Sequence, residues 1–164
     1  MRKSLLTWPL LACCFGSHAA QCPPDTGKPC EISEARVLPS GIAYRLELRE
    51  ARLDPETYGK RYPSGFWGAD GDYPATRVTS LSVVLDNTDI GIPAKIYTDL
   101  GNIQAAEIKE NQNAVVLVLR GGKAEAGFYA TYVFIEGVVR KRTVRSSSRP
   151  DHAWEKTTFS APIP

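Results

Sequence analysis

A short stretch near the C-terminus combines a histidine with two carboxylates. Asp151, His152 and Glu155 lie within one turn-sized segment, and a histidine beside acids is typical of an acid and base pair or of a weak metal site. The chain beyond residue 19 offers no second histidine and no Gly-flanked nucleophilic serine. We therefore expect solvated or structural roles here, with no catalytic residue, no metal site and no cofactor. An enzyme of unfamiliar type centred on His152 is the alternative.

A second acidic pair flanks a glycine at Asp70-Gly71-Asp72. Such a pair supplies oxygen ligands on a tight turn, as calcium loops do. A calcium loop also needs further oxygen ligands and a closing glutamate at fixed spacing, and Tyr73-Pro74 follows instead. The pattern therefore predicts a plain turn.

Residues 53–76 form a long segment rich in aromatic side chains, glycine and proline, without helical or strand periodicity. Loops carried by a rigid sheet are where binding residues concentrate, and Tyr, Trp and Arg supply much of the energy of protein interfaces. The alternative is that Phe66 and Trp67 turn inward and cap one end of the core. We predict that a partner-binding surface includes Tyr58, Arg61, Tyr62 and Trp67.

A basic strand is the other candidate surface. Arg140 and Arg142 flank Lys141, and Arg145 follows on the same run. Strand alternation predicts that Arg140 and Arg142 share one face while Lys141 and Arg145 share the other. Charge on both faces is typical of an edge strand that resists pairing with another chain. The functional interpretation is a contact with an anion or an acidic protein.

The fold class follows from the period of the apolar residues. Ile42, Tyr44, Leu46 and Leu48 alternate with charged residues, which predicts a strand with one face on a core. Turn residues separate most of the later strand-like runs. The sequence therefore predicts one compact, all-β, antiparallel domain over residues 41–164, a sandwich or small barrel of about eight strands. The later runs span 77–85, 90–97, 103–109, 114–120, 127–136, 138–145 and 154–160.

The first 19 residues have the composition of a cleaved bacterial export signal. Arg2 and Lys3 precede a short apolar run, and Ser17-His18-Ala19 places small residues before a cut. The apolar run is shorter than the roughly 20 residues that cross a bilayer, so we expect no transmembrane segment. We expect a periplasmic or secreted protein. The alternative interpretation is a lipobox at residues 10–13, with the protein anchored through an acylated Cys13.

The cysteines agree with export. Cleavage after Ala19 removes Cys13 and Cys14 and leaves Cys22 and Cys30, which we predict to form a disulfide in an oxidising compartment. Residues 20–40 then form a disulfide-stapled N-terminal segment.

Charge limits the class of partner. The sequence holds 20 basic and 18 acidic residues, and loss of Arg2 and Lys3 with the leader makes these numbers equal. Such a chain lacks the dense basic face that nucleic-acid binding needs. The sequence therefore favours an exported domain that binds another macromolecule, a protein partner in the cell envelope, as an inhibitor or immunity-type protein. An envelope structural or assembly factor is the alternative, and no particular small-molecule ligand is indicated.

Overall fold

The structure is a computed structural model that describes residues 19–23, 27–54, 56, 65–69 and 73–160. Ten strands account for most of these residues, and two short 3-10 helices cover Ala94–Ile96 and Ala124–Ala126. In chain order the strands are β1 (Ala20–Gln21), β2 (Glu31–Val37), β3 (Ala43–Arg52), β4 (Thr76–Leu85), β5 (Thr88–Ile90), β6 (Ile103–Asn111), β7 (Ala114–Gly121), β8 (Phe128–Ile135), β9 (Val138–Ser146) and β10 (Ala153–Thr158).

The strands form two antiparallel sheets around one core. The larger sheet has the order β1-β6-β7-β8-β9-β10, and the smaller has the order β2-β3-β4-β5. Leu46 and Leu48 of the smaller sheet and Leu117 and Leu119 of the larger are fully buried in the same apolar cluster. Burying each such side chain contributes roughly 1.5 to 3 kcal/mol. The predicted all-β class is confirmed, with a sandwich of two sheets.

Strand β3 shows how the sequence determines its own burial. Tyr44, Leu46 and Leu48 are buried, and the residues between them are exposed. This is the period of a strand that covers a core with one face. The same phase places Glu50 on the buried face, two residues beyond the apolar series.

Tight hairpin turns connect β4 to β5 and β8 to β9 at one end of the sandwich. Asp86 and Asn87 between β4 and β5 have φ values of 46° and 65°, and Glu136 and Gly137 between β8 and β9 have 52° and 71°. Positive φ at both central residues is the conformation that matches the twist of antiparallel strands. These turns lie where the sequence predicted them.

Two expectations about individual strands were wrong, and two strands were missed. Residues 90–97 do not form a strand, because β5 ends at Ile90 and Pro93 precedes the 3-10 helix at Ala94–Ile96; proline has no N–H to donate to a sheet. The short β1 and the polar β2 were not predicted. Finally, β9 lies between β8 and β10, so its charges do not protect an edge.

The N-terminal residues belong to both sheets. Ala20 and Gln21 pair with Ala106 and Ala105 of β6, and β2 pairs with β3 along its whole length. The predicted disulfide joins Cys22, which directly follows β1, to Cys30, which directly precedes β2. Their Cα atoms are 5.5 Å apart. Within the described ranges, no helix is long and apolar enough to cross a membrane.

Candidate functional site

A buried arginine lies at the centre of the most highly organised polar cluster. The Arg142 side chain is only 5% exposed. Its Nη2 donates to both oxygens of Asp99 at 2.8 and 2.7 Å, and its Nη1 donates to both oxygens of Glu155 at 3.0 and 3.1 Å. Charge-assisted bonds of this kind are about twice as strong as neutral ones. Both terminal nitrogens of the guanidinium are therefore committed to the two carboxylates.

A bulge in β9 brings this arginine inside. Val139 pairs with Phe134 and Lys141 pairs with Val133, so Arg140 is an extra residue between two register partners. A bulge moves every later side chain to the opposite face. Arg142 consequently lies opposite the fully buried Tyr132. The expectation that Arg140 and Arg142 share one face of β9 is therefore wrong.

A second bulge, in β10, brings in the carboxylate. Ala153 pairs with Arg145 and Glu155 pairs with Val144, which leaves Trp154 as the extra residue. Val144 faces the core, so its partner Glu155 is on the inner face as well. Without the bulge, Glu155 would point to solvent and could not reach Arg142.

Burial governs the electrostatics of the cluster. Burial raises the pKa of Asp99, while the Arg142 guanidinium acts in the opposite direction. Burial alone would lower the pKa of Arg142, but the neighbouring Tyr132, Asp99 and Glu155 raise it. The Tyr132 hydroxyl donates to the Ile96 carbonyl at 2.6 Å, and its burial raises its pKa further above the ordinary range. The cluster therefore holds the Arg142 guanidinium in its charged form between two carboxylates.

Two tryptophans lie directly beside this cluster. The rings of Trp67 and Trp154 are stacked, with centroids 5.3 Å apart and planes within 9° of parallel. The Trp67 backbone N–H donates to the Asp99 carbonyl at 2.8 Å, and Trp154 directly precedes Glu155. The backbones of both tryptophans are therefore directly connected to the two acidic residues of the ion cluster.

The aromatic pair forms part of an open groove of about 320 Å³, which we call the tryptophan groove. Both tryptophans are half-buried against the core, and Phe66 meets Tyr73 edge to face with centroids 6.5 Å apart. Gly68 has a φ of +92°, and a Cβ there would lie 2.7 Å from Phe128, so only glycine fits. The groove is lined by Phe66, Trp67, Gly68, Ala69, Glu125, Ala126 and Trp154.

The predicted partner-binding residues are distributed unevenly. Tyr58, Arg61 and Tyr62 lie outside the described residues. Trp67 is half-buried in the tryptophan groove. This position is compatible both with partner binding and with capping one end of the core. Arg140 is half-buried on β9, whereas Arg142 is buried and does not present charge to solvent.

The predicted weak site at the C-terminus is divided in the fold. Asp151 and His152 are exposed in a turn, where the His152 N–H donates to the Arg149 carbonyl at 2.9 Å. Glu155 is bound to Arg142. No group of three or more His, Cys, Asp or Glu side chains among the described residues is placed to hold a metal ion. The pair Asp70 and Asp72 lies outside those residues.

Sequence reasoning missed a second polar centre, at the junction of the two sheets. The Glu50 carboxylate accepts hydrogen bonds from the Ile103 N–H of the other sheet at 2.9 Å and from the Cys30 N–H at 3.1 Å. Asn102, with a φ of 53°, accepts from the N–H groups of Ala75 and Thr76. The phase of β3 was the signal that could have placed Glu50 inside. The hydrogen bonds of the Glu50 carboxylate therefore connect the two sheets.

No family model, no curated protein and no solved structure matches this chain. The tryptophan groove and the residues that support it are therefore the starting point for function.

Proposed function

We propose that this protein is a small exported domain that binds another protein of the cell envelope through the tryptophan groove, as an inhibitor or immunity-type protein does. The stacked pair of Trp67 and Trp154 carries the proposal. Tryptophan contributes large apolar area at a low entropy cost, and half-buried tryptophans in a concave surface are typical of interface hot spots.

The rigidity of the groove supports this function. The Trp67 backbone N–H is bound to the Asp99 carbonyl, and Trp154 directly precedes Glu155 on β10, while both acids bind the same buried Arg142. A surface that is ordered before binding loses less conformational entropy when the partner arrives. The Arg142 cluster thus serves as the support of a preorganised aromatic surface.

The predicted loop residues extend the proposed surface. Residues 66–69 line one side of the groove, and Tyr58, Arg61 and Tyr62 precede them in the sequence. Since all three lie within 8 positions of Phe66 along the chain, we propose that they contact the same partner. Alanine at any one of them should weaken binding by roughly thirtyfold, the effect of removing a hot spot of about 2 kcal/mol.

The proposal is tested by site-specific photocrosslinking in the intact cell envelope. A benzophenone amino acid replaces Ala126, which lines the groove, or Ala35, an exposed alanine on β2 that serves as the matched control. One dominant protein adduct from position 126, absent from position 35, is expected. Many adducts shared by both positions would instead support an envelope assembly factor. No adduct at position 126 in a folded protein would contradict the proposal.

Export belongs to the proposal and has its own test. A cut after Ala19 would leave a chain that starts with β1, whose Ala20 pairs with β6. The protein should then appear in the osmotic-shock fraction, and Cys13→Ser should change nothing. Detergent-dependent extraction that Cys13→Ser abolishes would establish the lipid-anchored alternative.

A further inference from the structure

A second groove lies at the opposite end of the sandwich. The turn after β4, the turn after β6 and the turn after β8 surround a space of about 460 Å³, which we call the hairpin-end groove. Strand β7 runs from Ala114 in this groove to Gly121, and the next residue, Gly122, abuts Gly68 of the tryptophan groove. The two grooves are therefore separated by the length of the domain.

The floor of the hairpin-end groove is apolar and is shared by the two sheets. Ile90 of the smaller sheet is 1% exposed, and Val115 and Phe134 of the larger sheet are 6% and 2% exposed. Ile42 and Leu85 are half-buried along the wall. A volume of this size lies within the roughly 300 to 1,000 Å³ of ligand pockets. Ile42 and Leu85 therefore present the apolar surface that an incoming side chain can cover, above a closed apolar floor.

The rim carries charge of one sign. Asp86, Glu110 and Glu136 line the groove, and none of its other described lining residues is Lys, Arg or His. Backbone N–H groups hold two of these acids, because Asp86 accepts from Ala43 at 2.9 Å and Glu110 accepts from Ser40 at 3.2 Å. Acids of one sign around a low-dielectric wall concentrate the field and attract cations.

We propose that the hairpin-end groove binds a basic peptide segment of a partner protein. One apolar side chain of that segment packs against Ile42 and Leu85 above the apolar floor, and flanking Lys or Arg side chains meet the carboxylates of the rim. Charge complementarity selects this occupant: the rim repels fatty acids and anionic headgroups, which would otherwise suit an apolar floor. The site is independent of the tryptophan groove.

The charge requirement is tested with a fluorescent pentapeptide that has leucine at its centre and lysine at the other positions. Asp86→Asn, Glu110→Gln and Glu136→Gln are combined in one variant. The amides remove the charge and keep an oxygen that can accept from the Ala43 and Ser40 N–H groups. Anisotropy titrations should show binding weakened by about tenfold, the combined effect of three partly exposed ion pairs. Added salt should weaken peptide binding to the wild type and affect the variant much less.

A matched control variant loses the same number of negative charges at positions outside the groove. Glu31→Gln, Glu47→Gln and Asp151→Asn neutralise three exposed acids that do not line it. This control should bind the lysine peptide within about twofold of wild type, because distant exposed charges are screened. Equal losses in both variants would show that only the overall charge matters and would overturn the proposal.

The apolar requirement is tested with altered peptides and a filled groove. Replacing the central leucine of the peptide by serine should weaken binding by about tenfold or more, since a buried leucine side chain contributes at least that much. Ala114→Phe, which places a ring into the groove, should abolish binding with an unchanged melting temperature. Binding of oleate or of a glutamate peptide as tight as that of the lysine peptide would overturn the proposal. These peptide measurements do not depend on the crosslink at Ala126. Failure of this proposal can therefore be distinguished from failure of the function proposed for the tryptophan groove.

Discussion

Arg142 and Glu155 form a two-oxygen ion pair although they are not register partners. Arg142 pairs with Thr157 along the β9–β10 ladder, and Glu155 pairs with Val144, yet the Arg142 Nη1 lies 3.0 and 3.1 Å from the Glu155 oxygens. The Thr157 hydroxyl donates to the same carboxylate at 3.0 Å. The diagonal contact exists because a bulge precedes each partner. Removal of the arginine would leave two acids facing the core without a cation.

Arg142→Ala should lower the free energy of unfolding by about 3 kcal/mol. Breaking a buried pair by removing one partner typically costs about 3 to 5 kcal/mol, and the lower end applies because the Asp99 and Glu155 side chains are 30% and 28% exposed. Urea unfolding followed by circular dichroism measures the change. Arg140→Ala, on the same strand but half-exposed, is the control and should cost under about 0.5 kcal/mol. Similar small losses in both variants would contradict a structural role for the cluster.

Glu50 should make stability depend on pH in an unusual direction. Burial raises its pKa above the ordinary 4.5, although hydrogen bonds from Ile103, Thr76 and Cys30 act to lower it. Above pH 4.5 the folded protein then retains a proton that the unfolded chain releases. The stability from this group is fully present below its unfolded pKa and is lost as the pH rises through the folded pKa.

The comparison of wild type with Glu50→Gln measures this effect. The stability advantage of wild type over Glu50→Gln should shrink as the pH rises from about 4.5 towards 7, because the glutamine does not titrate. Glu47→Gln, an exposed position on the same strand, is the control for the substitution itself and should change stability by less than about 0.5 kcal/mol. An advantage that grows with pH would mean that the N–H donors outweigh burial and lower the pKa.

The sequence predicted the elements that combine apolar or alternating residues with turn residues at their ends. β3, β4 and β6 to β10 were all found within a few residues of the predicted runs. β2 was missed since its exposed residues include Glu31, Ser33 and Arg36, and only Ile32 is deeply buried. An edge strand that is mostly polar carries no alternation to detect.

The candidate site was less predictable because bulges determine it. A bulge has no reliable signature in one sequence, and each one reverses the faces of all later residues in its strand. Two of them, at Arg140 and Trp154, convert a basic strand and a remote acid into one buried cluster. Pairing of Trp67 with Trp154 depends on the same register, so sequence alone identified only Trp67.

Loss of the disulfide should destabilise the protein moderately. Cys22 and Cys30 close a short loop with a separation of 8 residues and are both buried, and the closure of such a loop contributes roughly 2 to 3 kcal/mol. The double variant Cys22→Ser and Cys30→Ser should lose about that much in urea unfolding. Reduced wild type should match it. In unreduced exported protein, two alkylatable thiols at these positions would contradict the bond.

His152→Ala should leave both stability and biological activity nearly unchanged. The side chain is exposed, and substitutions at such positions usually change stability by less than about 0.5 kcal/mol. A positioned general acid or base would instead supply about 10² to 10⁴ in rate. Loss of a protective phenotype or of an assayed activity on that scale, with a normal circular dichroism spectrum, would establish the enzyme alternative.

Trp67 and Trp154 should be energetically coupled. The loss of stability in the double variant should therefore be smaller than the sum of the losses in the two single variants. A stacked aromatic pair contributes about 0.5 to 1.5 kcal/mol beyond the area that it buries, and the 5.3 Å centroid distance is within the range for such pairs. A double-mutant cycle with Trp67→Ala, Trp154→Ala and the combined variant isolates this coupling energy in urea unfolding. Trp154→Phe keeps a ring in the stack and should retain part of the coupling. Additive losses would show that the pair is not stacked in solution, and the aromatic surface proposed for the partner would then lose its preorganised geometry.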